Sequence, residues 1–420
     1  MWHDRKRRRG TMVPHGVEFA RPSYRAVLRI EQLRSLLLAA LFARLADRML
    51  GLVLVLYALA RFHSPLLAGW VGFAALAPGL VVSPLAGALL DRTGPAWGIA
   101  ADMAGSTASI LMLCMLAAAG EDSVASVLCV AGLYSLTNPL SAAGVRTLLP
   151  RLVPPAARSQ ANALDTTIHA GVDVCGPAVA GMLTGLAGAI PALLAVAACY
   201  AAACGALLPA LRRHPRVPPL WRDGLFADAA AGVAYVVRHP SLRPLALGYA
   251  AYNLAWGILL VVVPVLALRF AGSGSRGDLL AGILWAASGV AAAISSLLSG
   301  RYAVPSMQRG LMMAGMVATA IAIWPVSARF GLNGLAAGMV LVGVMAGPVD
   351  VGVLTLRQHR TDPAWLGRVI AVSMGFNLSG APIGMALGGA LLGWSSQAAL
   401  VAAAVACVTG ALALRWIPQR

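Results

Sequence analysis

The sequence predicts an all-α polytopic membrane protein of twelve transmembrane helices, divided six and six, with both termini cytoplasmic. Three observations carry this: the composition, the spacing of the apolar runs and the placement of the basic residues. Of 420 residues, 59% are hydrophobic and 11% charged, and the mean hydropathy is +0.79. A soluble globular domain carries about 25% charged and roughly 45–50% apolar residues. The excess here is spread along nearly the whole chain, so a water-soluble fold would leave much of it uncovered. A helical span needs about 20 mostly apolar residues, and twelve spans between Ser35 and Ile417 allow about 32 residues for each helix and its loop. The short alternating segments of a transmembrane β-barrel are absent.

The formal charge of +17 suggests a nucleic-acid binder until the basic residues are located. Nine of the 32 precede Ser35, and most others sit singly between apolar runs. With the N-terminus inside, 26 fall in the cytoplasmic segments against four (Arg61, Arg269, Arg276 and Arg329) in the outer loops, with Arg44 and Arg48 inside the first span. Such a split orients a membrane protein; it does not line a groove for phosphates.

Residues 1–34 form a basic cytoplasmic tail containing Arg5-Lys6-Arg7-Arg8-Arg9. No apolar core follows those charges, as a signal peptide would require. Apolar runs follow at about 35–60, 65–90, 96–119, 123–149, 159–187 and 189–211, the N-terminal six-helix bundle (35–211). Residues 212–241 hold five arginines and four prolines and read as a cytoplasmic linker, with a short amphipathic helix expected around Phe226–Val237. Runs at about 242–270, 277–300, 308–326, 330–356, 366–392 and 394–417 make the C-terminal bundle (242–417). The six cysteines all lie in apolar runs without CxxC spacing and read as packing residues, so no disulfide or metal site is expected.

Charges inside spans are the candidate working parts, because a charge at the bilayer centre costs about 2.5–3.5 kcal/mol on insertion scales. Asp47 lies near the middle of the first span between Arg44 and Arg48. Arg44 is one helical turn away and within pairing reach. The trio reads as a protonation or charge-relay site, or as an ion pair that only fixes helix rotation. In the fifth span Asp165, His169 and Asp173 at i, i+4 and i+8 share one face. Three titratable groups in a row suit a proton path, and histidine changes charge near neutral pH. Asn138, Asn253 and Asn377 read as cavity-lining residues or as helix-to-helix hydrogen-bonding groups. Asp350 and Asp102 lie near span ends, where a local ion pair at the cytoplasmic rim is expected.

Gly87, Asp91, Arg92 and Gly94 are expected to form the cytoplasmic turn after the second span, with glycine permitting a tight backbone and Asp91 capping or pairing with helix ends. Gly176, Pro177 and Gly181 offer close helix approach and a kink. Gly272-Ser-Gly274-Ser-Arg-Gly277 fits G-x-G-x-x-G, but it lies between two helices instead of following a strand and is read as a flexible turn. There is no Walker A, G-x-S-x-G or HExxH sequence and no paired Cys/His set, so neither enzyme chemistry nor a cofactor is expected.

Gly87-Ala-Leu-Leu-Asp91-Arg92-Thr93-Gly94 resembles the loop signature of the major facilitator superfamily, G-x-x-x-D-R-x-G, between spans two and three. Gly176-Pro177-x-x-x-Gly181 is similar to that superfamily's antiporter-associated Gly-Pro motif. Neighbouring phrases, including "QANALDTTIHAGVDVCGPAVAG" and "GRVIAVSMGFNLSGAPIGMALGGALL", resemble the bacterial efflux branch that includes enterobactin exporters. The resemblance covers about residues 33–417. It departs from the family at Pro95 and Ala96, where basic residues usually follow, and at Ser299-Gly300-Arg301-Tyr302, which lacks the acidic residue.

The resemblance implies two six-helix bundles rocking about a central site, with Asp91 and Arg92 in a gate. It points to a secondary active exporter of small amphiphilic molecules by proton antiport. Its partners would be the substrate, protons and the lipid bilayer, with no nucleic acid. A monomer in a bacterial inner membrane is expected. A narrow metabolite or siderophore exporter and a non-transporting membrane sensor stay open as alternatives. Asp47, Arg44, Arg48, Asp165, His169 and Asp173 are the candidate coupling residues.

Overall fold

Where apolar side chains exclude water, the backbone must satisfy its own hydrogen bonds, and a helix does so within one segment. The computed structural model describes residues 23–154, 157–213, 233–271, 274–302, 307–361 and 366–418. Among them every regular element is a helix. A short α1 (Tyr24–Leu28) precedes α2 (Glu31–Phe62), α3 (Pro65–Ala74), α4 (Ala77–Thr93), α5 (Pro95–Ala119), α6 (Val124–Leu152), α7 (Arg158–Ala187) and α8 (Ala189–Arg213). Further along the chain come α9 (Leu242–Ala271), α10 (Ser275–Tyr302), α11 (Gln308–Ala322), α12 (Gly331–Arg360), α13 (Leu366–Leu392) and α14 (Ser396–Leu414).

Ten helical stretches among the described residues are long and apolar enough to cross a membrane. The helix α2 is not one of them, because Arg44, Asp47 and Arg48 interrupt its apolar run. Large apolar side chains such as Val81, Met115, Leu186 and Leu297 point outward and exposed, the surface a lipid environment covers. Trp324 and Trp394 are exposed near one end of the helices and Trp416 near the other, where amphipathic rings meet headgroups.

Several boundaries differ from expectation for identifiable reasons. The second apolar run is two helices, broken at Ala75–Leu76. Pro78 has no N–H, and its ring conflicts with the carbonyl four residues back, at Ala74, where α3 ends. Residues 87–93 continue α4, so the anticipated turn shrinks to Gly94, whose φ of 84° only glycine adopts readily. The side chains of Asp91 and Arg92, and the surroundings of Gly87, lie outside what is described. The run at 308–326 ends its α-helix at Ala322 and finishes in 3₁₀ turns around Pro325. The first long helix starts at Glu31, inside the anticipated tail. Of the expected linker helix, residues 233–238 are helical and 214–232 lie outside the described residues.

The helices up to α8 pack on one another, α2 against α7 and α8 and α6 against α4 and α5, and α9–α14 do the same around the α9–α13 and α10–α12 contacts. The two groups meet chiefly along α7–α10 and α3–α13. Both crossings are built on glycine. A Cβ on Gly282 would stand 2.6 Å from Gly181 Cα and 2.9 Å from Pro177 O, and one on Gly389 would stand 2.5 Å from Pro65 O and 3.1 Å from Gly69 Cα. Backbone touches backbone here, so no neighbouring side chain could move aside. Both crossings lie toward the same end, that of the α2–α3 and α7–α8 connections. Toward the other end, Asn162, Thr166, Thr167 and His169 of α7 are exposed. The glycine-built seal between the two helix groups thus belongs to one end.

Candidate functional site

The site grows from the charges of α2. One turn of that helix carries Arg44, Asp47 and Arg48, and the three side chains leave in different directions. Arg44 does not pair with Asp47, against expectation. It reaches α7, where Nη1 lies 2.8 Å from Asp165 Oδ1 and Nη2 donates to Oδ2 at 3.1 Å. Nη1 also donates to the Asp165 backbone carbonyl at 3.2 Å. Arg48 Nε lies 2.6 Å from Asp173 Oδ1. The four-residue spacing of the arginines on α2 meets the eight-residue spacing of the aspartates on α7. Gly176 allows this approach, since a Cβ there would collide with the Cβ of Arg48. The Asp165–His169–Asp173 face therefore exists, but its carboxylates are engaged by arginines and His169 stands exposed between them.

Asp47 is left to neutral donors. Tyr134 Oη on α6 donates to Asp47 Oδ1 at 2.8 Å, and Asn138 Nδ2, one turn on, donates to the same oxygen at 3.1 Å. Tyr200 Oη on α8 makes a still shorter contact with it. The two hydroxyls lie 2.8 Å apart, and Asn138 Nδ2 also donates to Tyr134 Oη at 3.3 Å. The carboxylate oxygen and two phenol oxygens thus form a triangle, each within hydrogen-bonding distance of the others. Two hydroxyl protons fill two of its edges. The third edge is filled only when the carboxyl brings a proton of its own. Such a cluster has a bonded arrangement with and without that proton.

The second helix group offers a different surface. Asp350, on α12, is exposed and accepts from Tyr249 Oη of α9 at 2.6 Å. Among the described residues it makes no ion pair, so the rim pair anticipated for it is replaced by a tyrosine contact between helices. Asp350 and Asp173, from the two helix groups, are near enough to interact electrostatically. Beside them Tyr249, Tyr252, Trp256 and Trp285 follow one another with ring centroids 6.0, 6.4 and 5.7 Å apart. Asn253 turns inward on its own helix, donating to the Tyr249 carbonyl at 3.1 Å. The Asn377 side chain lies outside the described residues.

Asp102 also departs from the rim reading. It is 2% exposed, inside the first group, with Ser106 Oγ at 3.4 Å. A further cluster lies at the sealed end, where Arg61 Nε approaches Asp122 Oδ2 at 2.7 Å and Tyr57 Oη donates to the same oxygen at 2.6 Å. Asp122 lies in the loop between α5 and α6, and the Arg61 guanidinium holds its carboxyl below the usual carboxylate range. No group of three or more potential metal ligands occurs among the described residues.

Sequence reasoning missed Tyr134, Tyr200 and Tyr249, which lie within apolar runs. One signal was available: Tyr134 precedes Asn138 by four residues and so shares its helical face.

Comparison with known proteins agrees with this architecture. The family described as Major Facilitator Superfamily matches residues 36–372. An uncharacterized MFS-type transporter, y4rN, of Sinorhizobium fredii is 46% identical over 400 residues, covering 94% of this chain and 97% of the relative. Among solved structures, a POT family transporter in complex with 5-aminolevulinic acid aligns with a TM-score of 0.70 at 12% identity over 90% of this chain and 94% of its own. The human organic anion transporter MFSD10 aligns with a TM-score of 0.63 at 18% identity, over 94% and 100%. A bacterial homologue of the iron transporter ferroportin in an inward-facing state gives 0.67 at 18%, over 93% and 99%.

Proposed function

The chain belongs to the major facilitator superfamily, and on that premise we propose that it exports small amphiphilic molecules across a bacterial inner membrane by proton antiport. The observation that carries the reading is the environment of Asp47. A carboxyl in mid-span, surrounded by two phenols and an amide and with no cation in contact among the described residues, can take up and release a proton without breaking an ion pair. The adjacent arginines would have prevented this had they not been drawn off by Asp165 and Asp173.

In this reading twelve spans, counting α2, the α3–α4 pair and α13, form bundles 35–211 and 242–417 with the arginine-rich end cytoplasmic. The glycine crossings close the outer side, and the exposed end of α7 faces the cytoplasm. Substrate enters between α7 and α10, where Asp350, Tyr249 and the adjoining indole rings offer an acidic and aromatic wall suited to amphiphiles. Asp47 loses its proton to the cytoplasm as substrate binds and regains one from the outside after release. The Arg48–Asp173 pair ties this event to the helix that seals the outer side. The Asp91–Arg92 segment acts as the cytoplasmic gate. The protein works as a monomer of the efflux branch, a reading supported by its sequence resemblance to enterobactin exporters.

Everted vesicles with an imposed pH gradient test the reading. A pH-sensitive dye follows proton leakage while lipophilic cations, dyes and catecholates are added in turn. The expected result is substrate-triggered proton flux that Asp47→Asn abolishes while the protein remains in the membrane. Uphill transport unimpaired in Asp47→Asn removes Asp47 from the mechanism.

A further inference from the structure

Behind the Asp47 cluster the first helix group holds a second carboxylate, Asp102 of α5, almost wholly out of contact with solvent. What surrounds it is neutral. Ser106 Oγ is 3.4 Å away, one turn further along α5. Thr137 and Ser141 of α6 face it, and Ser141 Oγ is buried without another hydrogen-bond partner. Tyr134 and Tyr200 are the other titratable groups within its electrostatic reach, together with Asp47 itself. The ion pairs among the described residues are Arg44–Asp165, Arg48–Asp173 and Arg61–Asp122, so neither Asp47 nor Asp102 has a cation in contact.

The two carboxyls are joined by one helix face. Along α6, Tyr134 and Asn138 bind Asp47, while Thr137 and Ser141 stand beside Asp102. The residues at 134, 137, 138 and 141 follow the i, i+3, i+4, i+7 pattern of a single stripe. Two carboxylates without a contacting cation in an apolar bundle, each within reach of the other's field, resist simultaneous ionisation. Arg44 and Arg48, on the same turn as Asp47, also act on it but are held in pairs with Asp165 and Asp173. Asp47 is partly exposed and Asp102 is not.

We propose that Asp102 is a second proton site, coupled to Asp47 through the polar stripe of α6, so that the two carboxyls hold one proton between them. This rests on the antiport reading above and gives it a reserve site. Only O–H bonds change. A proton leaves one carboxyl oxygen of the pair for water in the open cavity, and one proton from the opposite side later restores the pair. Asp102 is a positioning residue in this scheme, since it acts on substrate through Asp47.

Infrared difference spectroscopy of the purified protein in lipid nanodiscs, titrated over pH, reads protonated carboxyls directly through their C=O stretch. Wild type, Asp47→Asn, Asp102→Asn and Asp102→Glu are compared. Coupling predicts that the Asp47 band in Asp102→Asn deprotonates at least about one pH unit lower than the last proton of the wild-type pair, and that Asp102→Glu restores the higher midpoint. An unchanged Asp47 midpoint in Asp102→Asn overturns the proposal and leaves the antiport reading standing. Absence of any titrating Asp47 band in wild type would instead refute the antiport reading. Should Asp102→Asn not fold, the reciprocal measurement decides, because the Asp102 band must then shift in Asp47→Asn by a similar amount. An immobile Asp102 band in that variant counts against the proposal equally.

Discussion

Under the alternating-access reading, adding one methyl group at the α7–α10 crossing should shift the protein away from the state in which that crossing is closed. In Gly282→Ala the new carbon stands 2.6 Å from Gly181 Cα, 2.9 Å from Pro177 O and 3.1 Å from Gly181 N, all backbone atoms. Comfortable carbon–carbon separation is about 3.5–4.0 Å, so the helices must part by about 1 Å to admit it. Overpacking of this kind costs about 1–3 kcal/mol. The cost falls only on the conformation in which the crossing is closed, whereas the gain in helix propensity from alanine is common to both. The ratio of sealed to parted molecules should therefore drop about 5- to 150-fold. Electron paramagnetic resonance distances between spin labels at Leu186 and Arg276, in a cysteine-free background, report the opening. Gly171→Ala is the control, because it lies on α7, the other helix of the crossing, and a Cβ there would meet nothing within 4 Å. An unchanged distribution in Gly282→Ala, or an equal shift in Gly171→Ala, would refute the reasoning.

Other perturbations follow from the same geometry. Arg48→Gln should leave Asp173 without its cation and slow transport at least tenfold, with partial recovery in an Arg48→Asp, Asp173→Arg exchange; no recovery in the folded exchange would mean that position, not pairing, matters. Asp122 has a carboxyl held below its usual range by Arg61. The unfolded chain binds this proton more readily, so the stabilisation is full above about pH 4 and disappears as pH falls through the depressed folded value. Thermal unfolding in micelles should show wild type losing its advantage over Asp122→Asn in that acid window. His239 accepts from the backbone N–H of Ser241 at 3.2 Å and of Leu242 at 3.3 Å through Nδ1, capping α9 as a neutral ring. Burial, with Arg360 nearby, lowers its proton affinity. Its stabilisation is therefore present above about pH 6.5 and is lost as pH falls through the depressed value. Unfolding temperatures of His239→Asn should be flatter than wild type across that range, and parallel curves would exclude the cap.

Helix existence was legible because a hydrophobic run of membrane length has few other outcomes. The exceptions are local and chemical: Pro78 splits the second run, and Pro325 accompanies the 3₁₀ finish after α11. Side-chain partnership was much less legible. Sequence spacing brings Arg44 within a turn of Asp47, yet the arginine is taken by an aspartate 121 positions away. Asp102 lies in the first third of α5 and looks peripheral until α6 covers it. The tyrosines of the Asp47 cluster come from α6 and α8, and nothing in the first span announces them. Position along a helix gives depth in the bilayer; only packing gives the neighbour.

Those neighbours place two jobs on α7. On one face its aspartates hold the arginines of α2 and so keep Asp47 free of cations. On another its backbone meets α10, the Asp173 carbonyl lying 3.2 Å from where a Gly289 Cβ would stand. The residue that grips Arg48 is thus also part of the crossing between the helix groups. In the antiport reading, sliding α7 against α10 would move the anchor of Arg48, and with it the field around Asp47. Conversely, a charge change at Asp47 would act on Arg48 and on its hold on Asp173. The two glycines of α7 divide between these jobs: Gly176 admits α2, and Gly181 admits α10. Gly176→Ala should then disturb the ion pairs and proton movement first, and Gly181→Ala the opening of the crossing first. If both variants change proton release and spin-label distance in the same proportion, α7 moves as one rigid piece and the two faces are not separable.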